Sequence, residues 1–320
     1  MADETGHFRC YQDPSTLRKS TLDLIAGIRQ ITDEYEAQGY TLTVRQIYYQ
    51  FVSRKWLPSD GSIKANGKRA HTYDLIQGAA NTGRNCGLLS WTSIEDRGRN
   101  LMGLGHYTSP AQAVARVKAS YRIDMWANQP FRPEFWVEKQ ALEGVVGQMA
   151  DELQVDYYAQ KGYNSTSEHW AAAQRFAGYI AKGQRPIVFH MGDLDPSGWH
   201  MTQSNIEKLS LYAGVPILVQ RLALSIRQVE EFSPPPFQTK DADSRAESFR
   251  LQMEEWGHDG DESYELDALD PPVLHGIMRD AVDRIRDEAA WDQMTMQQVE
   301  DRRLLDEMIE LMGGGSADAE

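Results

Sequence analysis

Cysteine is nearly absent. The 320 residues hold two, Cys10 and Cys86, with no CxxC spacing, which argues against a disulfide framework and against a structural zinc site. No run approaches the roughly 18 consecutive apolar residues of a membrane helix, and the opening MADETGHFRC lacks the apolar stretch of a signal peptide. The expected compartment is therefore the cytoplasm, with no membrane partner. A GxxxxGK phosphate loop is missing, and the eight histidines form no HxxxH pattern. HDGDESYELD is acidic but lacks the ligand spacing of a calcium hand and reads as a solvated loop; within it Glu265 and Asp267 alternate in a possible strand and could add a carboxylate to a site. Positive charge is also scarce, for the net charge is −14, whereas nucleic-acid binders usually carry a basic footprint. The total hides a division. Residues 1–128 hold 16 Lys+Arg against 12 Asp+Glu, and residues 129–320 hold 17 against 35. A basic binding half joined to an acidic catalytic half fits this split, as does a plain acidic enzyme.

The first hundred residues read as three helices. Apolar residues at Leu17, Leu22, Leu24, Ile25, Ile28 and Ile31 predict one amphipathic helix from about Pro14 to Glu36, capped by Asp13 or Ser15 and closed by Gly39. Thr43 is the expected cap of a second helix, VRQIYYQFVSR, ending near Lys55. Pro58, Asp60, Gly61, Asn66 and Gly67 mark a loop, and a third helix is expected from about Arg69 to Thr82. A short strand, LLSWTSI, and a charged turn, EDRGR, follow. This order is that of a winged helix-turn-helix. Ser109 and Pro110 start a connector helix carrying Arg116, Lys118 and Arg122 and ending near Trp126. Beyond it, strands at FWV, VDYYA, PIVFHM and VPILVQRLAL alternate with helices at about 140–153, 167–182 and up to 213. That alternation predicts an α/β fold with a mostly parallel sheet. Acidic helices over about 272–288 and 295–312 and a GGGSADAE tail complete the chain.

Two groups of residues can carry chemistry. In the second helix Val44, Ile47, Tyr48, Phe51 and Val52 define a buried face. Tyr48 belongs to it; Tyr49 does not, and stands exposed four residues from Arg45, within its reach. A phenol of pKa about 10 is ionised about one part in a thousand at neutral pH, and a neighbouring guanidinium favours the phenolate. An ordinary surface Tyr–Arg pair is the plainer reading. The second group is acidic. Glu138 follows the strand FWV, and GDLDPSG follows PIVFHM, both at carboxyl ends of strands, where open parallel sheets bind ligands. Asp193 and Asp195, two apart in an extended turn, are expected to point to the same side and to form with Glu138 a three-carboxylate pocket. Such a pocket calls for a cation, and oxygen-only ligands suit Mg²⁺. A helix cap at Asp195–Pro196 is the plainer reading there, and Asp195 can serve both purposes.

Together these pieces resemble the A subunit of topoisomerase VI and its relative, the meiotic double-strand-break protein, in the compact stand-alone form. VRQIYYQ matches the family's Arg-then-aromatic–Tyr motif, FWVEKQAL its glutamate segment and DLDPSG its Asp-x-Asp-Pro-x-Gly turn, in the family's order and spacing over about residues 16–310. The resemblance implies a winged-helix DNA-binding domain over 14–100, a helical connector over 101–133, a Toprim metal-binding domain with acidic C-terminal helices over 134–312 and a tail over 313–320. It implies a topoisomerase-type enzyme without its own ATPase. Tyr49 is then the nucleophile assisted by Arg45, and Glu138, Asp193 and Asp195 hold Mg²⁺. It further implies a nucleoid-associated homodimer on double-stranded DNA, the tyrosine of one subunit working with the metal pocket of the other, and it allows an ATPase B-type subunit supplied in trans. A hydrolytic Toprim nuclease and a non-catalytic DNA-binding subunit are the alternatives. On any of these, the acids beyond residue 240, 23 against 7 bases, are expected to sit away from the DNA groove.

Overall fold

Ile25, Ile28 and Ile31 recur at helical spacing and anchor the first long helix, α1 (Lys19–Glu36), on an apolar core. The computed structural model describes residues 10–57, 62–65, 68–95, 106–160, 165–239 and 243–311. The single helix expected from Pro14 is interrupted. Asp13 accepts the Ser15 amide at 2.9 Å and caps one 3-10 turn, Pro14–Thr16; Leu17 and Arg18 are then extended, and α1 starts behind them. Gly39, at φ +83°, closes the segment as expected.

Strand β1 (Leu42–Thr43) leads into α2 (Val44–Ser53), whose start is fixed by a reciprocal capping box between Thr43 and Gln46. The stretch read as a loop contains an antiparallel hairpin, β2 (Ser62–Ala65) and β3 (Lys68–His71). Its turn signals Pro58, Asp60, Gly61, Asn66 and Gly67 lie outside the described residues. Asn66–Gly67 is the pair most typical of a tight hairpin, and it was the available signal. Because 68–71 is strand, α3 (Thr72–Asn85) begins later than the expected Arg69. The expected strand LLSWTSI shrinks to β4 (Ile94–Glu95), parallel to β1. Before it, Ser90 and Ser93 are tied into turns, the Ser93 hydroxyl donating to the Ser90 carbonyl at 3.0 Å. Most of EDRGR lies outside the described residues. The described hairpin thus precedes α3. Helix α4 (Pro110–Ser120) is capped by Ser109 as expected but ends short of Trp126.

The second half is an α/β layer structure. Strands β5 (Phe131–Val137), β6 (Asp156–Ala159), β7 (Arg185–Met191) and β8 (Leu218–Ala223) form a four-stranded sheet in the order β6-β5-β7-β8, parallel throughout. Helices α5 (Glu143–Leu153), α6 (Thr166–Ala181) and α7 (Pro196–Ala213) connect them. The period of two divides the strand residues between two faces. Phe135, Val137, Phe189 and Met191 pack with Val146 and Met149 of α5, while Trp136 and Val188 pack with Phe176 of α6 and Leu209 of α7. Both faces of the central strands β5 and β7 are covered, which is why FWV and IVF read as continuous apolar runs, while the edge strands β6 and β8 are partly exposed.

Three short elements were not foreseen, α8 (Ile226–Phe232), β9 (Pro236–Gln238) and α9 (Ala246–Glu255); the possible strand through Glu265 and Asp267 lies earlier, as β10 (Glu262–Tyr264), antiparallel to β9, with Asp267 in a 3-10 turn, Leu266–Ala268. Tyr264 also exchanges two 2.9 Å backbone hydrogen bonds with Leu194. That bridge fastens the following residues to the loop after β7. Helices α10 (Pro271–Asp283) and α11 (Glu288–Leu311) end the described chain. No helix among the described residues is long and apolar enough to cross a membrane.

Candidate active site

The carboxyl ends of β5 and β7 deliver Glu138 and Asp193 side by side: the Asp193 amide donates to Glu138 Oε2 at 3.0 Å. The two aspartates do not point to one side. The Asp193 carboxylate turns to the Leu266 amide (2.8 Å) and to Lys139 Nζ (3.0 Å). Asp195 turns the other way and caps α7, Oδ1 accepting the Gly198 amide (2.7 Å) and the Ser197 hydroxyl (3.0 Å). The helix start at Pro196 dictates this, since the first amides of a helix need an outside acceptor. Glu138 lies between the two acids, and burial together with the Asp195 charge pushes its carboxyl above the ordinary range.

Two cations hold this arrangement. Lys139, next to Glu138 in sequence, reaches Asp193, Asp267 (2.8 Å) and Glu265 (3.3 Å). Burial works against its charge, but those carboxylates outweigh burial and hold the ammonium above its usual value. Arg221, in β8, is half-buried. It donates to the carbonyls of Gly192 (3.0 Å), Asp193, Gly198 (2.9 Å) and Leu224 (2.9 Å) and to the Thr202 hydroxyl (2.9 Å). Burial lowers it to about 10, with Glu138, Asp193 and Asp195 opposing. It clamps the 192–198 turn from behind.

Tyr49 comes to the same place from the other half of the chain. Its hydroxyl donates to Glu265 Oε2 and lies 3.4 Å from Arg45 Nη2. Arg45 also pairs with Glu265 and, at 2.9 Å, with Asp267. Tyr49 is therefore half-buried, not exposed, because the segment behind β10 covers it. Tyr48 packs against the apolar core of the helical half, in keeping with its place on the buried face. The favoured phenolate is also reversed. Burial, Asp267 and Glu265 raise the phenol well above its ordinary pKa, and Arg45 does not compensate. Arg45 is engaged by the two acids, and for Glu265 burial is overcome by Lys139, Tyr49 and Arg45, which bring it down to about 2. Both acids lie beyond residue 240, so that segment does not sit wholly away from the site. The tyrosine meets the acids of its own chain.

The oxygen donors of Glu138, Asp193 and Asp195 suit a hard divalent cation. A Cβ at Gly192 or Gly198 would stand 2.7 or 2.9 Å from Glu138 Oε2, so space beside that carboxylate is kept clear of side chains. A cation beside Glu138 and Asp195 would relieve their repulsion. As placed, Asp193 is committed to Lys139, and among the described residues no three His, Cys, Asp or Glu side chains form a ready-made metal group. The donor chemistry fits Mg²⁺, with Asp193 having to exchange Lys139 for the ion.

Comparison of the chain with family models, with curated proteins and with solved structures gives no match. The site residues that sequence reasoning left without a role are Lys139 and Arg221. Lys139 stands inside the quoted FWVEKQAL, and Arg221 is a lone cation in the apolar run VPILVQRLAL; a charge in an apolar run is itself a signal.

Proposed function

We propose that this chain is a Mg²⁺-dependent DNA-cleaving protein of the type IIB topoisomerase A-subunit kind. The observation that carries the reading is the meeting of Tyr49, from the helical half, with the acid cluster at the strand ends: Tyr49 bonds Glu265, Lys139 links Glu265 to Asp193, and Asp193 bonds Glu138. With it go the assignments of residues 14–100 to a winged-helix domain, 101–133 to a connector and 134–312 to a Toprim domain. Double-stranded DNA as substrate, a cytoplasmic, nucleoid-associated homodimer that cuts both strands, and an ATPase subunit supplied in trans complete it.

In this reading Tyr49 Oη forms a bond to a backbone phosphorus and the bond to the 3′-oxygen breaks. A 5′-phosphotyrosyl link and a 3′-hydroxyl result, and the phosphoester energy is retained for resealing. The phenolic proton needs an acceptor, and Glu265 already receives that hydrogen bond. Arg45 holds Glu265 and Tyr49 in register and offers its charge to the phosphate. Glu138, Asp193 and Asp195 would hold Mg²⁺, which when bound supplies charge neutralisation of the phosphate and of the leaving oxygen. Arg221 fixes the turn that carries these acids.

One observation favours a second reading, a hydrolytic nuclease in which water attacks: the Tyr49 phenol is held protonated by its burial and by two carboxylates. Incubation with supercoiled DNA and Mg²⁺, quenching with SDS and protease treatment separates the two. A protease-sensitive covalent complex that Tyr49→Phe abolishes and Tyr48→Phe retains supports transesterification. Mg²⁺-dependent nicking without an adduct, unchanged in Tyr49→Phe, overturns it in favour of hydrolysis. DNA binding with neither product leaves a non-catalytic subunit.

A further inference from the structure

Cys10 and Cys86, the two cysteines of the chain, come from opposite ends of the helical half and meet where α3 stops. The amides of Tyr11 and Gln12 both donate to the Asn85 carbonyl, at 2.7 and 3.0 Å. Tyr11 follows Cys10 and Asn85 precedes Cys86, so a single hydrogen bond separates the two cysteine backbones. Standard bond lengths across such a bond put their Cα atoms within about 7 Å of each other, and a disulfide spans Cα separations up to about 7 Å. The Tyr11 ring meets Trp91 edge-on, with centroids 6.3 Å apart, which fastens the segment at a second point.

The two thiols differ in access. Cys10 is exposed, its Sγ donating to the Gln12 carbonyl at 2.8 Å. Cys86 is buried at the residue that ends α3. Burial raises its thiol above the ordinary range, and the charges of Cys10 and Asp13 add to the shift, as they do only at close range. Exposure makes Cys10 the sulfur that meets a reagent first and Cys86 the one that follows. Neither takes part in the site at the strand ends.

We propose that Cys10 and Cys86 form a redox modification site, closed to an intramolecular disulfide by a small disulfide of the glutathione type. Cys10 Sγ gives up its proton and forms a bond to one sulfur of the small disulfide. The small S–S bond breaks, and the departing thiolate takes a proton. Cys86 Sγ then gives up its proton and attacks the Cys10 sulfur, displacing the second small thiol in the same way. Two electrons pass from the protein to the small disulfide, and excess thiol reverses both steps. The bridge encloses α1, α2 and α3, and with them Arg45 and Tyr49, in one covalent loop. A loop of that length removes much freedom from the unfolded chain. A pair with one exposed partner suits reversible oxidation, which differs from the permanent framework of a disulfide-rich fold.

The test exposes the dilute, folded chain to glutathione disulfide, blocks remaining thiols by alkylation and maps tryptic peptides without reduction. The expected product joins residues 10–18 to residues 85–97, and dithiothreitol parts them again. The bridged protein should melt roughly 5 °C higher than the reduced one. Cys10→Ser, at an exposed position, should lose both the cross-link and the shift while melting as reduced wild type does. Cys86→Ser should stop at a glutathione adduct on Cys10, where wild type should not stop. A wild-type adduct that stays on Cys10 without passing to Cys86 overturns the proposal, as does a bridge between two copies. A bridged protein that melts no higher than the reduced one also overturns it, since such a bridge closes only by distorting the fold.

Discussion

The strand-end cluster and the outer face of α3 are both polar, and they differ in where their partners are. In the cluster each cation is answered from within the chain: Lys139 by three acids, Arg45 by two, Arg221 by four carbonyls and a hydroxyl. On α3, among the described residues, the amides of Gln77 and Asn81 have no hydrogen-bond partner and a Cβ at Gly78 would meet nothing within 4 Å. A polar group satisfied internally contributes to folding and resists change, whereas one left open costs nothing to alter until its partner arrives. Substitutions should therefore cost much stability in the first region and little in the second.

The largest effect is expected from Lys139→Met. It leaves Asp193 buried without its ion-pair partner and Asp267 with Arg45 alone, and loss of one member of a buried pair costs about 3–5 kcal/mol, measurable by urea unfolding. A loss below about 1 kcal/mol would mean that water already reaches these acids. Next comes the seam between the halves. His275 Nε2 faces the Val145 carbonyl at 2.7 Å, so that nitrogen carries the proton, and Nδ1 accepts the Tyr40 hydroxyl at 2.9 Å. His275→Ala should cost about 1–3 kcal/mol through the bonds left unmade. Burial keeps His275 below its ordinary value of 6.5, with Val145 and Glu152 favouring the charge and Arg279 opposing it. The unfolded chain then takes up the proton more readily, and stability falls as the pH drops below 6.5. The variant should show a shallower decline in unfolding scans over that range.

On the open face the sign reverses. Gly78→Ala should stabilise the protein by about 0.5–1 kcal/mol, as read by thermal melting. If it destabilises instead, a neighbouring surface meets that Cα. The smallest effect belongs to Gln77→Ala and Asn81→Ala, each expected within about 0.5 kcal/mol of wild type in stability. A larger loss would show that these amides have structural partners and would erase the contrast with Lys139.

Local signals were legible in the sequence. The Thr43 and Ser109 caps, the alternation of strand and helix, and the acids at strand ends all follow from spacing and residue type. Contacts that join distant segments were not. Nothing in VRQIYYQ says that Tyr49 will be covered by residues 216 positions later, and SYELD reads equally well as solvated loop until β10 is bridged to Leu194. The shared direction expected of Asp193 and Asp195 failed for a local reason, since Pro196 starts a helix at once and its free amides claim the nearer carboxylate. The hairpin at 62–71 was missed because strands of four residues are too short for alternation to stand out, although Asn66–Gly67 is a pair typical of hairpin turns.

That claim on Asp195 has a use. A single oxygen receives both the Ser197 hydroxyl and the Gly198 amide, and a methyl group at Gly198 would strike the Asp193 carbonyl at 2.3 Å. The first turn of α7 is therefore fastened by an acid that the site itself can recruit. Whenever that oxygen is drawn elsewhere, the Gly198 amide loses its acceptor. Its exchange with deuterium, followed with and without added Mg²⁺, is a clock for the site that runs without substrate and without turnover.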